Sequence, residues 1–238
     1  MFAGKMKALT FSYDDGVTQD QRLISLFNKY GLKATFNLNS ELLGKPGSLL
    51  REDVTVAHVK PRPVEVRAIY AGHEVAAHTL THPMLTEQTD DEIVRQVEQD
   101  RLNLSELVGY EVVGMAYPGG GVNFNQHVAD VIRERTGVKY ARITVSSYNF
   151  EPQTDLYCFK PTVYHHAQWD AMEKLVDEFI ALKPDSPKIM YIWGHAYEFD
   201  IRNDWDRFEE VLKRLSGHDD IFYGTNKEVL LECVSKIP

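Results

Sequence analysis

Short apolar runs alternate with amphipathic helical patterns along most of the chain. Apolar runs of this length are typical of buried strands. The clearest strand patterns cover residues 7–11, 33–38, 72–77, 111–115, 140–145, 188–193 and 221–223, and a further strand is expected near 156–160. Helical patterns lie between them, at 19–30, 64–70, 90–108, 125–136, 170–182, 207–215 and 227–234. The sequence therefore predicts about seven strands in alternation with helices.

This alternation decides the predicted fold. Strands and helices in turn indicate a parallel sheet with helices outside it, and this number of strands favours closure into a barrel. No linker divides the chain, so we expect one α/β domain over residues 1–238. Residues 40–63 are rich in glycine and proline, and they predict a long loop with a short helix that frames a cleft.

Composition narrows the classes of partner. The 238 residues carry a formal net charge of −9, which argues against nucleic acid or an anionic membrane as a partner. An acidic surface says little about a neutral sugar or a small amide. No apolar run reaches spanning length, and no secretory signal precedes the first strand pattern, so we expect a cytoplasmic protein. The oligomeric state stays open.

Two adjacent carboxylates, Asp14 and Asp15, follow the first strand pattern and precede Gly16. Side chains alternate along an extended chain, so the two carboxylates leave the strand in different directions. One of them can bind a metal while its neighbour accepts a proton. By itself, the tripeptide is also a common turn after a strand.

Two histidines, His78 and His82, stand four residues apart after another predicted strand. If this segment forms one helical turn, both rings lie on one face and can bind the same ion. Pro83 disfavours helix at His82 and limits the segment to a single turn. The alternative is a solvated turn, because histidines at this spacing also arise by chance.

Two more polar segments follow strands. Tyr117 and Pro118 lead into Gly119, where glycine leaves backbone N–H groups free to approach a ligand or to stabilise an oxyanion. His195 follows the strand pattern 188–193. Each segment alone has a plainer interpretation, which is a turn at 117–120 and a structural hydrogen bond at His195.

All four segments follow the carboxyl end of a different predicted strand. In a closed parallel barrel these ends meet on one face, and that face carries the active site. Two histidines and one carboxylate with an open position form the ligand pattern of a catalytic divalent metal. The second carboxylate then supplies a base, and His195 supplies an acid from across the site.

The chain resembles the polysaccharide deacetylase (NodB-homology) family of carbohydrate esterases in these motifs. The family's Thr-Phe-Asp-Asp-Gly motif is similar to residues 12–16, with Ser12 and Tyr13 altered. Its His-Ser/Thr-x-x-His motif matches residues 78–82 without departure. Its Arg-x-Pro-Tyr motif matches 116–119 in part, and its Leu-x-His motif resembles residues 192–195.

The resemblance implies a distorted TIM-like (β/α)7 barrel. It implies a metal-dependent hydrolase that removes an acetyl group from an N-acetylated sugar or oligosaccharide. Carried over residue by residue, it implies Asp15, His78 and His82 as ligands of one divalent ion. Zinc is the first expectation for this ligand set, with nickel or cobalt as alternatives.

The same resemblance implies how protons move. Asp14 is the general base, and His195 is the general acid that protonates the leaving amine. Tyr117, Pro118 and Gly119 form the substrate and oxyanion segment, in which the Gly119 N–H is the donor.

Two departures from the family pattern concern the proton-transfer residues. Ala116 stands where the family has an arginine that holds the base. Arg142, on the next predicted strand, is our candidate for the residue that takes over this role. The alternative is that Arg142 lies on the surface, away from Asp14. No family motif supplies the partner of His195, for which the chain offers Glu198, Asp200 and Asp155, and two more histidines that could line the cleft are His165 and His166.

Two other functions stay open at this level. One is hydrolysis of a small non-sugar amide or cyclic amide, as in the allantoinase-like branch of the superfamily. The other is a barrel that has lost catalysis and only binds carbohydrate.

Overall fold

The computed structural model describes residues 2–166 and 168–234. Its main element is an eight-stranded parallel sheet, and a separate two-stranded hairpin lies beside it. The strands are β1 Lys7–Asp14, β2 Thr35–Leu38, β3 Ser48–Arg51, β4 Val54–Ala57, β5 Glu74–Ala77, β6 Gly114–Ala116, β7 Tyr140–Arg142, β8 Val163–Tyr164, β9 Lys188–Gly194 and β10 Ile221–Tyr223. Strands β3 and β4 form the hairpin.

The sheet curls around β1. Its order is β7-β6-β5-β2-β1-β9-β8, and β10 pairs with the first half of β1. Arg142 at the end of β7 forms a parallel bridge with Phe159, which brings this edge towards the segment that leads into β8. All eight residues of β1 are buried, as expected for the central strand of a parallel sheet covered on both faces. The predicted α/β barrel is therefore confirmed, in the distorted form.

Helices surround the sheet. They are α1 Asp20–Lys29, α2 Val66–Ile69, α3 Asp90–Val94, α4 Asp100–Val108, α5 Gln126–Arg135, α6 Trp169–Ala181, α7 Glu198–Arg202, α8 Trp205–Leu215 and α9 Asn226–Val234. The predicted helix 90–108 forms, with a π-helical turn at Arg95–Gln99 between α3 and α4. None of the helices in the described parts of the chain is long and apolar enough to cross a bilayer.

The prediction for residues 40–63 is wrong in part. A short 3₁₀ helix forms at Ser40–Leu42, but the segment also contains the antiparallel hairpin β3–β4. The two residues between the strands, Glu52 and Asp53, both have positive φ, at 49° and 61°. A two-residue hairpin turn requires this conformation, which glycine or asparagine usually supplies. Neither glycine nor asparagine occupies this turn, and for that reason the sequence pattern did not reveal the hairpin.

The predicted strand at 156–160 is also wrong. Residues Leu156–Cys158 form a 3₁₀ helix, and the Asp155 side chain accepts a hydrogen bond from the backbone of Tyr157 at its start. Only Phe159 pairs with a strand, and β8 begins later, at Val163. An aspartate that caps the segment favours a turn over an extended chain.

Candidate active site

The carboxyl ends of the parallel strands surround one cavity of about 810 Å³. Loops after β1, β5, β6 and β9 contribute to its lining, and so does the hairpin β3–β4. Its lining includes Asp14, Asp15, Arg51, Glu52, His58, Lys60, His78, His82, Gly119, Tyr164, His166, Trp193, His195, Tyr197 and Glu198. The predicted acid, base and metal ligands therefore share one cavity.

Three donor side chains meet in this cavity. The Nε2 atoms of His78 and His82 lie 3.8 Å and 3.7 Å from Oδ1 of Asp15. One ligand atom from each residue lies within 4.8 Å of the other two, a spacing that could hold one metal ion. Asp15 has φ of 79°, a left-handed conformation that is uncommon for a residue other than glycine and is often found at functional sites.

The loop that carries the two histidines is not helical. Thr79 and His82 have φ of 69° and 63°, so the segment does not form the helical turn that was considered for it. The Thr79 hydroxyl accepts a hydrogen bond from the His82 N–H at 3.1 Å, and Asn39 donates to the carbonyls of His78 and Thr79. These contacts bring the rings together without a helix, with 4.9 Å between their centroids.

The protonation of His78 suits a metal ligand. Its Nδ1 lies 2.8 Å from the Ala116 carbonyl, which can only accept a hydrogen bond, so Nδ1 carries the proton and Nε2 is free to face Asp15. Burial lowers the pKa of His78 to about 4, which keeps the ring neutral. Neutral imidazole and ionised carboxylate are the forms that bind divalent cations, so these residues fit such an ion.

Sequence reasoning missed two residues that contact Asp15. His58 Nε2, at the end of the hairpin, lies 3.2 Å from Asp15 Oδ2, and Lys60 donates to the Asp15 main-chain carbonyl. Burial would raise the pKa of Asp15, but the hydrogen bond from His58 and the charge of Lys60 hold it well below the usual range. Both residues follow the hairpin, which the sequence pattern did not reveal.

The second carboxylate, Asp14, is held by an arginine. Arg142 Nη2 pairs with Asp14 Oδ2, and both side chains are buried. The guanidinium also lies over the Trp193 ring, 4.2 Å from its centroid. Asn37, which the sequence analysis did not single out, donates to Asp14 Oδ1 at 2.8 Å. Arg142 thus lies inside the barrel and not on the surface.

His195 has Glu198 as its carboxylate neighbour. The His195 Nδ1 lies 3.1 Å from Glu198 Oε1, and the backbone N–H of His195 donates to Glu198 Oε2 at 3.0 Å. Burial would lower the pKa of His195, but the charge of Glu198 raises it to about 9, with help from Asp15 and Asp14. The ring is therefore protonated at neutral pH. The other two partners considered, Asp200 and Asp155, bond to Trp205 and to the Tyr157 backbone.

The loop after β6 contributes backbone groups only. The Gly119 N–H points at His82 Nε2 from 3.3 Å, which places it beside the three donor atoms. Gly119 has φ of 77°, and a Cβ there would meet Met84 Sδ at 2.6 Å. The Tyr117 phenol points elsewhere and donates to the Tyr157 carbonyl. Tyr117 and Pro118 do not line the cavity, so their predicted substrate contact finds no support in the side-chain positions.

The site can be compared with known proteins. A family model described as polysaccharide deacetylase matches residues 3–141. Peptidoglycan-N-acetylglucosamine deacetylase PgdA of Listeria monocytogenes is 27% identical over 120 residues, which are 49% of this chain and 22% of that protein. This chain thus covers less than a quarter of that relative.

Solved structures share the fold. Peptidoglycan deacetylase PdaC from Bacillus subtilis has a TM-score of 0.53 at 20% identity, over 99% of this chain and 94% of that chain. The Xyl-CE4 domain of a multidomain xylanase from the hindgut metagenome of Trinervitermes trinervoides has a TM-score of 0.57 at 18% identity, over 98% and 93%. Since the family model covers more than half of the sequence, the chain belongs to the polysaccharide deacetylase (NodB-homology) family of carbohydrate esterases.

Proposed function

We propose that this chain is a metal-dependent hydrolase that removes the acetyl group from an N-acetylated sugar or short oligosaccharide. The observation that carries the proposal is the convergence of the Asp15, His78 and His82 donor atoms beside an arginine-held Asp14 and a protonated His195. Zinc is the first expectation for two imidazoles and a carboxylate, with nickel or cobalt as alternatives. When bound, the ion would polarise the acyl carbonyl and acidify a water molecule.

Asp14 acts as the base in this proposal. It accepts a proton from the water that attacks the acyl carbon, while Arg142 and Asn37 keep its carboxylate in one orientation. Each carboxylate oxygen accepts more than one hydrogen bond, so both contacts leave room for the water. Orientation matters because proton transfer depends on the distance between the carboxylate and the water.

His195 and Gly119 act on the other reacting atoms. His195 gives its Nε2 proton to the nitrogen as the carbon–nitrogen bond breaks, which releases the amine and leaves acetate. The Gly119 N–H would lose its present acceptor if His82 Nε2 held the ion. That N–H would then be free to donate to the oxyanion that forms on the acyl group.

The substrate class rests on relatives and on the size of the cavity. PgdA is named as a deacetylase of peptidoglycan N-acetylglucosamine, so an N-acetylated sugar is the first choice. A cavity of about 810 Å³ suits a ligand of one or a few sugar units. The same volume also suits a small non-sugar amide, which is the second choice. A barrel that only binds carbohydrate would have the same cavity but no turnover.

Acetate release from N-acetylglucosamine and its short oligomers tests the proposal. Metal-loaded protein should release acetate, and Asp14→Asn should lose roughly 10²–10⁴-fold in rate while it keeps its metal. Small amides and cyclic amides, assayed in parallel, decide between the two substrate classes. An Asp14→Asn protein that loses its metal would show that the roles of the two carboxylates are reversed.

A further inference from the structure

A line of three buried side chains leads from the core to His195. The Tyr13 hydroxyl lies 3.0 Å from His165 Nδ1, and His165 Nε2 lies 3.1 Å from Glu198 Oε2. Glu198 in turn contacts His195 through its other oxygen. Tyr13 and His165 are completely buried, and Glu198 is 5% exposed. The proposed function gives no role to the first two residues.

Charge assigns the protons along this line. Glu198 is ionised, since burial alone would raise its pKa but His195 and His165 hold it well below the usual range. A bare Nε2 lone pair 3.1 Å from that carboxylate would be repelled, so the neutral His165 carries its proton on Nε2. Its Nδ1 is then a bare acceptor. The Tyr13 phenol, whose pKa burial raises well above the usual value, is protonated and donates to it.

Glu198 therefore receives donors on both oxygens. Its Oε1 faces His195 Nδ1 and accepts a hydrogen bond from the Tyr164 hydroxyl. Its Oε2 faces His165 Nε2 and accepts a hydrogen bond from the backbone N–H of His195. Burial of a carboxylate is costly unless such donors compensate it. These donors also leave the Glu198 carboxylate little freedom to rotate, so it presents one oxygen to the His195 ring in a fixed geometry.

The backbone of β9 is adapted to His165. A Cβ on Gly194 would lie 2.4 Å from His165 Cε1 and 2.5 Å from Nδ1, so only glycine leaves room for the ring. Gly194 is the register partner of Tyr13 and directly precedes His195. The position of the His165 ring is thus set by the same two strands that carry Asp14 and His195.

We propose that Tyr13 and His165 are positioning residues: Glu198 sets the Nε2–H tautomer of His165, Tyr13 holds the ring through Nδ1, and His165 with Tyr164 orients Glu198 on the His195 imidazole. This inference rests on the proposed function only in that His195 is the proton donor to the leaving amine. Neither Tyr13 nor His165 gains or loses a proton during turnover. Their removal therefore affects the orientation of His195 and leaves the Asp15, His78 and His82 donors intact.

The first test needs no activity. In ¹⁵N NMR spectra of the imidazole rings, wild-type His165 should be the neutral Nε2–H tautomer at pH 7. Tyr13→Phe should keep this tautomer but move the Nδ1 resonance downfield, because the bare Nδ1 loses its hydrogen-bond donor. Tyr70→Phe is the matched control, since it removes another buried phenol, which donates to Asp20 Oδ2 at 2.7 Å and lies outside the line from Tyr13 to His195. A wild-type His165 with its proton on Nδ1, or an Nδ1 resonance unchanged in Tyr13→Phe, overturns the proposal.

The second test compares two leaving groups. His165→Leu should lower kcat for an N-acetylated sugar about 10-fold, with KM unchanged, and His165→Gln should restore much of the rate because its amide can donate to Glu198. Hydrolysis of 4-nitrophenyl acetate needs no proton donor and should be unaffected in both variants. Equal losses on both substrates would mean a merely structural role. If wild type hydrolyses neither substrate, the proposed function fails, and the NMR result still decides the arrangement.

Discussion

The two halves of the active site are built in different ways. The proposed metal donors Asp15, His78 and His82 come from two loops within residues 3–141, and each lies within five residues of a strand end. The charged groups that pair with the proposed acid and base lie beyond that range. Arg142 reaches Asp14 across 128 residues of sequence, and His195 relies on Glu198 in the loop and helix after β9. The proposed metal ligands are thus encoded close to strand ends, whereas the charged partners of the proposed proton-transfer groups come from distant parts of the fold.

Removal of a metal donor should have the largest effect. His78→Ala deletes a buried imidazole whose Nε2 faces Asp15, so metal content should fall to background. Turnover should fall by more than about 10³-fold, since a bound ion supplies several kcal/mol of transition-state stabilisation. Elemental analysis and acetate release measure the two effects. His127→Ala, on the exposed face of α5, is the control and should keep both. Full metal occupancy in His78→Ala would exclude this donor set.

The difference between the halves explains what the sequence could predict. Four strands were visible in the sequence as apolar runs, and a segment with candidate functional residues follows each of them. The barrel and the residues at its mouth could therefore be predicted. The chain can place Asp14, Asp15, His78 and His82 in one cavity because each is at most five residues beyond a strand. The single domain over 1–238 and the cytoplasmic location stay predictions.

Contacts that depend on side-chain reach could not be predicted in the same way. Asn37 approaches Asp14 only because β2 pairs with β1 in a register that places the two residues side by side. His58 approaches Asp15 through a hairpin whose turn lacks the usual glycine. Glu198 was one of three carboxylates considered for His195, and only the fold of the loop after β9 separates it from Asp200.

Replacement of Arg142 tests whether this residue takes the role of the family's arginine, which is Ala116 in this chain. Arg142→Met should leave a buried, unpaired Asp14 and cost about 3–5 kcal/mol of stability. Turnover should fall about 10²-fold because the base loses its orientation. Arg142→Lys is the matched variant, as it keeps the charge without the planar fork, and should recover stability better than rate. Thermal unfolding and kcat on the same preparations measure this. Wild-type turnover in Arg142→Met would show that Asp14 needs no tether.

The acid half should set the alkaline limit of activity. His195 must be protonated to act, so turnover should fall as the pH rises through about 9, the pKa to which Glu198 raises it. Glu198→Gln removes that charge and should move the limit to lower pH, with the greatest loss of rate near pH 8. The ion pair stabilises the fold fully below about pH 6.5, and this contribution is lost as the pH rises through about 9. An unmoved limit in Glu198→Gln would assign the acid to another group.

The smallest effect is expected where the hairpin tip contacts the acid half. Glu52 forms two hydrogen bonds with Arg202, at 2.9 Å and 2.7 Å, and its Oε1 lies 3.0 Å from His166 Nε2. These contacts join the hairpin to α7 and to the loop after β8, and so help to enclose the cavity. Glu52 and Arg202 are nearly half exposed, and solvent screens such pairs, so each contact stabilises little.

Glu52→Gln should therefore raise KM for a short substrate about 2–5-fold and leave kcat unchanged, since an exposed pair is worth about 0.2–1 kcal/mol. Glu65→Gln is the matched control, because it loses an exposed pair with Arg62 that lies away from the cavity. Steady-state kinetics on N-acetylglucosamine and its trimer measure both variants. A larger rise in KM for the short substrate than for the trimer would show that the hairpin encloses short substrates. A tenfold loss of kcat would instead mean that Glu52 takes part in the chemistry, and the two halves of the site would then no longer be separate.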